Sequence, residues 1–251
     1  MRLLPGVTGS MPGLDDLDIV VVRENVEGEY SQIGGRFGQG TPGETAVQEA
    51  VFTRPGIERV ARYAAGLAAA RGGGLVSATK SNGIIHTMPF WDEVVARTVR
   101  RHHPEVAVDK VLIDALAARL VMKPLSVRTV VASNLFGDIL SDLVAGIAGS
   151  IGIAPSANLN PPRTHPSMFE PVHGSAPDIA GKGIANPVGA LWAASMMLEH
   201  LGEDAAAHQL TTAFESALRD GVATPDLAGT ATTASFTADV VARLSARPAS
   251  A

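Results

Sequence analysis

The sequence predicts an α/β fold, on three observations. Apolar runs of strand length at 18–23, 75–79 and 111–113 each end at a charged residue: Arg23, Lys80 and Asp114. Between them lie segments whose apolar residues recur at helical spacing, and strand, helix, strand with polar strand ends is the α/β pattern. A further β-branched run, Val127, Val130 and Val131, leads straight into Ser-Asn-Leu-Phe-Gly-Asp-Ile-Leu-Ser-Asp at 133–142. That stretch reads as a strand end opening a helix, where sheets of this class hold ligands.

Taken in order, residues 1–17 are turn-rich, with Pro5-Gly6 and Pro12-Gly13, and predict no element. Residues 18–23 form a continuous apolar run closed by a charge, the mark of a buried strand. Residues 34–49 carry Gly34, Gly35, Gly38, Gly40 and Gly43 and read as a projecting loop or hairpin arm, while 47–53 alternates partly, as a strand does. Ile57, Val60, Ala61, Ala64, Leu67 and Ala68 share one helix face, which the glycines at 72–74 end. A strand at 75–79, a helix at 90–103, the third strand and a helix at 115–122 follow. Beyond Gly149 the composition shifts: 151–161 reads as irregular and 169–187 as a long turn-rich loop. Helices are expected at 188–201, 205–218 and 238–244, with a loop at 224–229 between the last two. Trp192, Met196 and Met197 are expected in a core, and 246–251 is a tail of mostly small residues.

Length and composition bound the function. At 251 residues and 46% hydrophobic content the chain can bury a sizeable core, as one large or two small domains. A net charge of −5 argues against nucleic acid or an anionic membrane as the main partner. No cysteine is present, which removes disulfides and thiol catalysis and fits a reducing, cytoplasmic setting. No apolar run approaches the roughly 20 residues that span a bilayer, and the first residues have no signal-peptide core.

The strand ends carry the candidate chemistry, and each residue has two readings. Asp138 and Asp142 are four apart, so on a helix their carboxylates share one face and repel unless a cation lies between them. Hard oxygen donors of this kind suit Mg²⁺ or Mn²⁺; the alternative is an ordinary solvated helix face. Arg23 can grip a carboxylate bidentately or pair with a nearby glutamate. Tyr30 can donate a proton or pack as a half-buried ring. Asp114 can cap the following helix or complete a carboxylate set with Asp138 and Asp142. Gly181-Lys182-Gly183 is not a Rossmann fingerprint, for it lacks a third glycine at the right spacing and a preceding strand.

Five segments together carry a resemblance: R-E-N-x-E-G-E-Y at 23–30, T-K-S-N at 79–82, D-A at 114–115, S-N-L-F-G-D-I-L-S-D at 133–142, and E-P-V-H-G-S-A-P-D-I-A-G-K-G-I-A-N-P at 170–187. In this order and across nearly the whole chain they resemble the metal-dependent β-decarboxylating hydroxyacid dehydrogenases, the isocitrate and isopropylmalate dehydrogenase family. The 24–31 and 154–161 segments are most similar to its tartrate and D-malate branch.

The resemblance implies an isopropylmalate-dehydrogenase-like two-domain fold and a homodimer. It implies Mn²⁺ or Mg²⁺ held by Asp138 and Asp142 of one subunit and Asp114 of the other, and it allows a monovalent cation such as K⁺. Arg23 is implied to bind the substrate carboxylate. Lys80, acting across the dimer, is implied to assist proton removal from the 2-hydroxyl as hydride leaves for NAD⁺, and Tyr30 to protonate the enol left after CO₂ departs. Asn82 is implied to lie near the nicotinamide, and His173, Gly174, Ser175, Ala176 and Asn186 to shape the adenosine pocket. Asp178 is implied to accept from the ribose 2′-OH, which favours NAD⁺ over NADP⁺.

Two departures shape the expectation. The family's first strand, early nucleotide-domain helices and L-R-P segment have no counterpart here. Residues 1–7 are therefore expected to be a remnant of the large domain, 8–148 the smaller, dimer-forming metal and substrate domain, and 149–251 the C-terminal half of the nucleotide domain. The loop 5–12 also lacks the arginine that isopropylmalate and isocitrate enzymes use, which is compatible with tartrate or D-malate as the hydroxyacid. A 3-isopropylmalate dehydrogenase, and a truncated paralogue that folds and dimerises without turnover, are the alternatives.

Overall fold

A computed structural model describes residues 1–246, so positions 247–251 of the small-residue tail lie outside the described residues. The chain divides into two compact units, Ile19–Ser141 and a second that joins Met1–Asp18 to the chain from Asp142 onward. The unit borders fall at 18/19 and 141/142, whereas the sequence reading drew them at 7/8 and 148/149.

Ile19–Ser141 is an α/β unit. Its elements run β1 (Val20–Arg23), β2 (Gly34–Phe37), β3 (Thr45–Gln48), α1 (Arg54–Ala70), β4 (Leu75–Thr79), α2 (Thr87–His102), β5 (Val108–Leu112), α3 (Ile113–Met122), β6 (Thr129–Ala132) and the start of α4 (Asn134–Ile147). Four strands form a sheet in the order β1-β6-β4-β5, every pair parallel. The two inner strands, β4 and β6, are buried at every residue, which is why Leu-Val-Ser-Ala-Thr and Thr-Val-Val-Ala carry no charge and show no apolar/polar alternation by face. Because all four strands run the same way, Arg23, Lys80, Asp114 and Ser133 emerge at one edge of the sheet.

Local chemistry sets the helix limits. α1 begins at Thr53, whose hydroxyl accepts the Gly56 N–H, with Pro55 pre-set for the first turn. It ends where Gly72 takes φ +65°. α2 closes on Arg100 and Arg101, cations beside the carbonyl end of the helix dipole. The glycine-rich arm is an antiparallel hairpin of β2 and β3. The strand expected at 47–53 starts earlier and ends at Gln48, because Val51 pairs back with Gly28 in an isolated bridge. Asp114 does not cap α3. Leu112 holds the cap position and Asp114 lies inside the first turn, its carboxylate drawn off by Lys80.

The second unit holds a two-stranded antiparallel sheet, β7 (Pro155–Asn158) with β8 (Met168–Pro171), and three helices, α5 (Val188–Leu201), α6 (Asp204–Arg219) and α7 (Thr233–Ala246). The strand β7 corrects the expectation of irregular chain at 151–161. A Pro-Ser-Ala-Asn run has no apolar alternation, and only its pairing with β8 makes it a strand. α7 starts five residues before the expected 238. Met197 is exposed and Met196 only partly buried, while Trp192, also partly buried, packs against a core of Leu4, Ile153, Phe214, Leu218, Phe236 and Val240.

Two glycines in this unit leave no room for a side chain. A β-carbon at Gly6, where φ is +77°, meets the Leu218 carbonyl oxygen at 2.2 Å, and one at Gly229 meets the Ala223 carbonyl oxygen at 1.9 Å. Backbone cannot give way as a flexible side chain does. Gly229→Ala is therefore expected to destabilise the unit by about 1–3 kcal/mol or more, as overpacking does. A thermal melt matching the parent protein would contradict it. Among the described residues no helix is long and apolar enough to cross a membrane.

Candidate active site

The parallel sheet edge brings the end of β1 against the start of α4, and a four-residue cluster results. The Arg23 guanidinium donates through Nε and Nη2 to Asn134 Oδ1, at 3.0 and 2.7 Å, and through Nη1 to Asp138 Oδ1 at 2.5 Å. A guanidinium carries five N–H donors, so two remain for a ligand. The other oxygen of Asp138 accepts the Tyr30 hydroxyl at 2.9 Å, and the Arg23 guanidinium lies 5.8 Å from the Tyr30 ring centroid. Tyr30 is 52% exposed, so it is not a packing ring. The salt bridge of Arg23 runs to Asp138 rather than to a glutamate. The hydrogen bond to the Asp138 carboxylate, helped by desolvation, holds the Tyr30 phenol above its ordinary pKa and therefore protonated.

Three glutamates of the 23–30 segment lock this loop in place. Glu24, 3% exposed, accepts the Val26 N–H at 2.9 Å and pairs with Arg59 of α1. Glu27 accepts the Thr53 N–H at 2.7 Å and its hydroxyl at 2.6 Å, beside the start of α1. Glu29 accepts from Ser133 and Leu135 at the start of α4. Sequence reasoning left Glu24, Glu27, Glu29 and Ser133 without roles, and named Asn134 only as a neighbour of the aspartate pair. Three glutamates within six residues of a strand-end arginine were the available signal.

Gly137 is the position that admits Arg23. A β-carbon there would stand 2.6 Å from Arg23 Cγ and 2.7 Å from its Cβ, the near end of the side chain, which cannot swing away. Gly137→Ala gains about 1 kcal/mol of helix propensity and loses about 1–3 kcal/mol to overpacking, so a small net destabilisation is expected. The larger consequence is displacement of the guanidinium from Asn134 and Asp138. Binding of a dicarboxylate by this variant should weaken more than its melting temperature falls, and unchanged binding would contradict the contact.

Lys80 and Asp114 follow β4 and β5, which pair side by side, and their side chains meet at 2.9 Å. The hydrogen bond from Lys80 holds the exposed Asp114 carboxyl below its ordinary value, with help from backbone N–H groups at the start of α3. Asn82 is exposed in the turn after Lys80. In the second unit, His173, Gly174, Ser175, Ala176 and Asp178 lie in the loop after β8. Ala176 takes φ +44° and opens a single 3-10 turn, Pro177–Ile179, which displays Asp178 to solvent. Asn186 is buried, accepts the Val188 N–H at 2.9 Å to start α5, and donates to Asp226 at 3.0 Å. Asp226, read from sequence only as part of a loop, also accepts from Ser150 and Thr224.

Asp138 and Asp142 lie one turn apart on α4, and both are carboxylates. Among the described residues no three His, Asp or Glu side chains of this chain gather as a metal site. Two hard carboxylate donors one turn apart nevertheless suit Mg²⁺ or Mn²⁺, ions that keep water and substrate oxygens in their shell. The donor set fits such an ion.

Comparison with known proteins decides the family. Residues 8–242 match the family described as isocitrate/isopropylmalate dehydrogenase. The chain belongs to that family. It is 51% identical over 243 residues to a probable tartrate dehydrogenase/decarboxylase of Bacillus subtilis, covering 97% of this chain and 68% of that protein. It is 54% identical over 243 residues to the decarboxylating D-malate dehydrogenase of Escherichia coli, covering 93% and 66%. Among solved structures, an isocitrate dehydrogenase from Methylococcus capsulatus superposes with a TM-score of 0.88 at 37% identity, over 97% of this chain and 71% of that one. This member of the isocitrate/isopropylmalate dehydrogenase family thus spans about two thirds of the length of the curated relatives it matches.

Proposed function

We propose that the chain catalyses NAD⁺-dependent oxidation of a malate-like 2-hydroxyacid, tartrate or D-malate, with β-decarboxylation assisted by Mn²⁺ or Mg²⁺, as a cytoplasmic homodimer. The observation that carries this reading is the sharing of Asp138 between Arg23 and Tyr30, which sets a carboxylate grip and a protonated phenol on either side of one acid. Relatives named for tartrate and D-malate support the choice of hydroxyacid.

Asp138 and Asp142, with Asp114 of a second subunit, would hold the divalent ion, which would supply Lewis-acid stabilisation of the charge left as CO₂ departs, while bound NAD⁺ would supply the hydride-accepting chemistry. Arg23 presents its two remaining N–H donors to the substrate carboxylate. Tyr30, kept protonated by Asp138, delivers its proton to the enol carbon. Lys80 assists removal of the proton of the 2-hydroxyl across the dimer. Because Lys80 and Asp114 stand together at the ends of adjacent strands, one subunit presents both to its neighbour as a unit. Exposed Val121, Met122, Leu125 and Ile139, on or beside α3 and α4, support association of two copies. Asp178, exposed and negative, suits the ribose 2′-OH of NAD⁺ and repels a 2′-phosphate.

The test is NADH formation by this chain with Mn²⁺ and D-malate, L-tartrate or 3-isopropylmalate. Turnover of D-malate or tartrate ahead of 3-isopropylmalate is expected. Preference for 3-isopropylmalate would move the reading to that enzyme. A folded dimer that turns over none of them would leave a chain that keeps the fold and not the activity.

A further inference from the structure

We propose that Glu29 is a positioning residue that fixes the Tyr30 phenol on Asp138 by clamping the first turn of α4. The inference deepens the proposed reading, on which the catalytic use of Tyr30 depends. The Glu29 carboxylate accepts the Ser133 hydroxyl at 2.6 Å through Oε1 and the Leu135 N–H at 3.0 Å through Oε2. The first N–H groups of a helix have no partner within it and favour a nearby anion. The first turn of α4 contains no acidic residue, so the anion comes from the loop, one residue before Tyr30. The same helix carries Asp138 one turn further on.

The phenol needs such an anchor. Tyr30 is half exposed, so burial does little to fix its ring. The loop is also tied at Gly28, whose N–H and carbonyl pair with Val51 at 2.8 and 3.2 Å, and the Glu29 carbonyl accepts from Gln48. Those bonds hold the loop to the hairpin side. Against α4 the loop is held by one bond, from Asn134 Nδ2 to the Glu27 carbonyl at 3.1 Å, three residues before Tyr30, and by the two-point clamp of Glu29, the residue next to Tyr30. With the clamp released, Tyr30 can leave Asp138 while Arg23, held separately by Asn134, stays in place.

The chain contains two tyrosines, Tyr30 and Tyr63, so 3-fluorotyrosine labelling gives two ¹⁹F resonances, assigned with Tyr63→Phe. In metal-free full-length chain, Glu29→Ala should shift or broaden the Tyr30 line in the direction seen with Asp138→Asn and leave the Tyr63 line in α1 unmoved. Glu29→Gln, whose amide can accept from Leu135 and donate to Ser133, should restore it. A Tyr30 line unmoved in Glu29→Ala, with the Tyr63 line also at its native position, overturns the proposal. If Glu29→Ala unfolds, Glu29→Asp, one methylene too short to meet both partners, replaces it under the same criterion. Neither readout requires turnover, so an inactive chain would sink the functional reading and leave the clamp standing. In active protein, Glu29→Ala should lower kcat up to about 10²-fold, the scale of a misplacement near 1 Å, with KM for the hydroxyacid unchanged. A general loss of structure would move both.

Discussion

Asp138→Asn is expected to abolish hydroxyacid oxidation and to let Tyr30 ionise at lower pH than it does in the parent chain. The first effect follows from the donor set. Asp138 is one of two carboxylates on α4 suited to a divalent ion, and losing it leaves Asp142 alone. Lewis-acid stabilisation is worth several kcal/mol, so a loss of about 10³-fold or more in kcat is expected. A readout independent of turnover is thermal stability: Mn²⁺ at about 100 times its Kd should stabilise the parent by about 2.7 kcal/mol and the variant not at all. The second effect follows from the hydrogen bond of Tyr30 to Asp138, the largest reason its phenol titrates above the ordinary value. An amide can accept that bond but carries no charge, so the shift should shrink. The sign for stability is fixed. A pKa raised by folding contributes stability that is fully present below the unfolded value near 10 and is lost as pH rises through the folded value. Metal-free Asp138→Asn should show phenolate absorbance at lower pH, while Tyr63, raised by burial alone, titrates as before. An unchanged Tyr30 titration, or Mn²⁺ stabilisation surviving in the variant, would refute the assignment.

What the sequence made legible follows from how local each signal is. β4 and β6 were readable because inner parallel strands are buried on both faces, which leaves charge-free runs where only Ser and Thr interrupt the apolar residues. The α5 limits, 188–201, were readable because Pro187 and Gly202 bracket the helix, the glycine at φ +89°. β7 was not readable, since its strand character comes from β8 and not from its own residues. The same division holds at the site. Arg23, Tyr30 and Asp138 were named from strand ends and motif resemblance. That one carboxylate serves both of the others depends on side chains more than 100 positions apart and is a property of the fold. Asp114 shows the converse: its position before a helix suggested a cap, but it lies inside the first turn, where Lys80, just past the neighbouring strand, pairs with it. Glu29 carried no local signal, because it caps a helix that begins 105 positions later.

Arg23→Lys is the change expected to have the largest effect on substrate binding. Arginine meets Asn134 with two nitrogens and Asp138 with a third, all fixed in one plane. That arrangement aims the remaining N–H pair at a carboxylate without further ordering. Lysine keeps the charge but replaces the planar fork by one ammonium on a flexible stem. It can sit on Asp138 or reach a ligand, and cannot hold both geometries. A hydrogen bond to a charged group is worth about 1.5–3 kcal/mol, so KM for the hydroxyacid should rise about 10- to 150-fold. kcat should fall less, because Tyr30 retains its own bond to Asp138. Asn134→Ala separates charge from orientation: it leaves Arg23 in place and removes the acceptor that orients two of its nitrogens. A rise in KM there too, smaller than in Arg23→Lys, would show that orientation and not charge alone binds the carboxylate. If Arg23→Lys leaves KM unchanged, the carboxylate grip lies elsewhere, and Arg23 serves only to hold Asp138 on the face of α4.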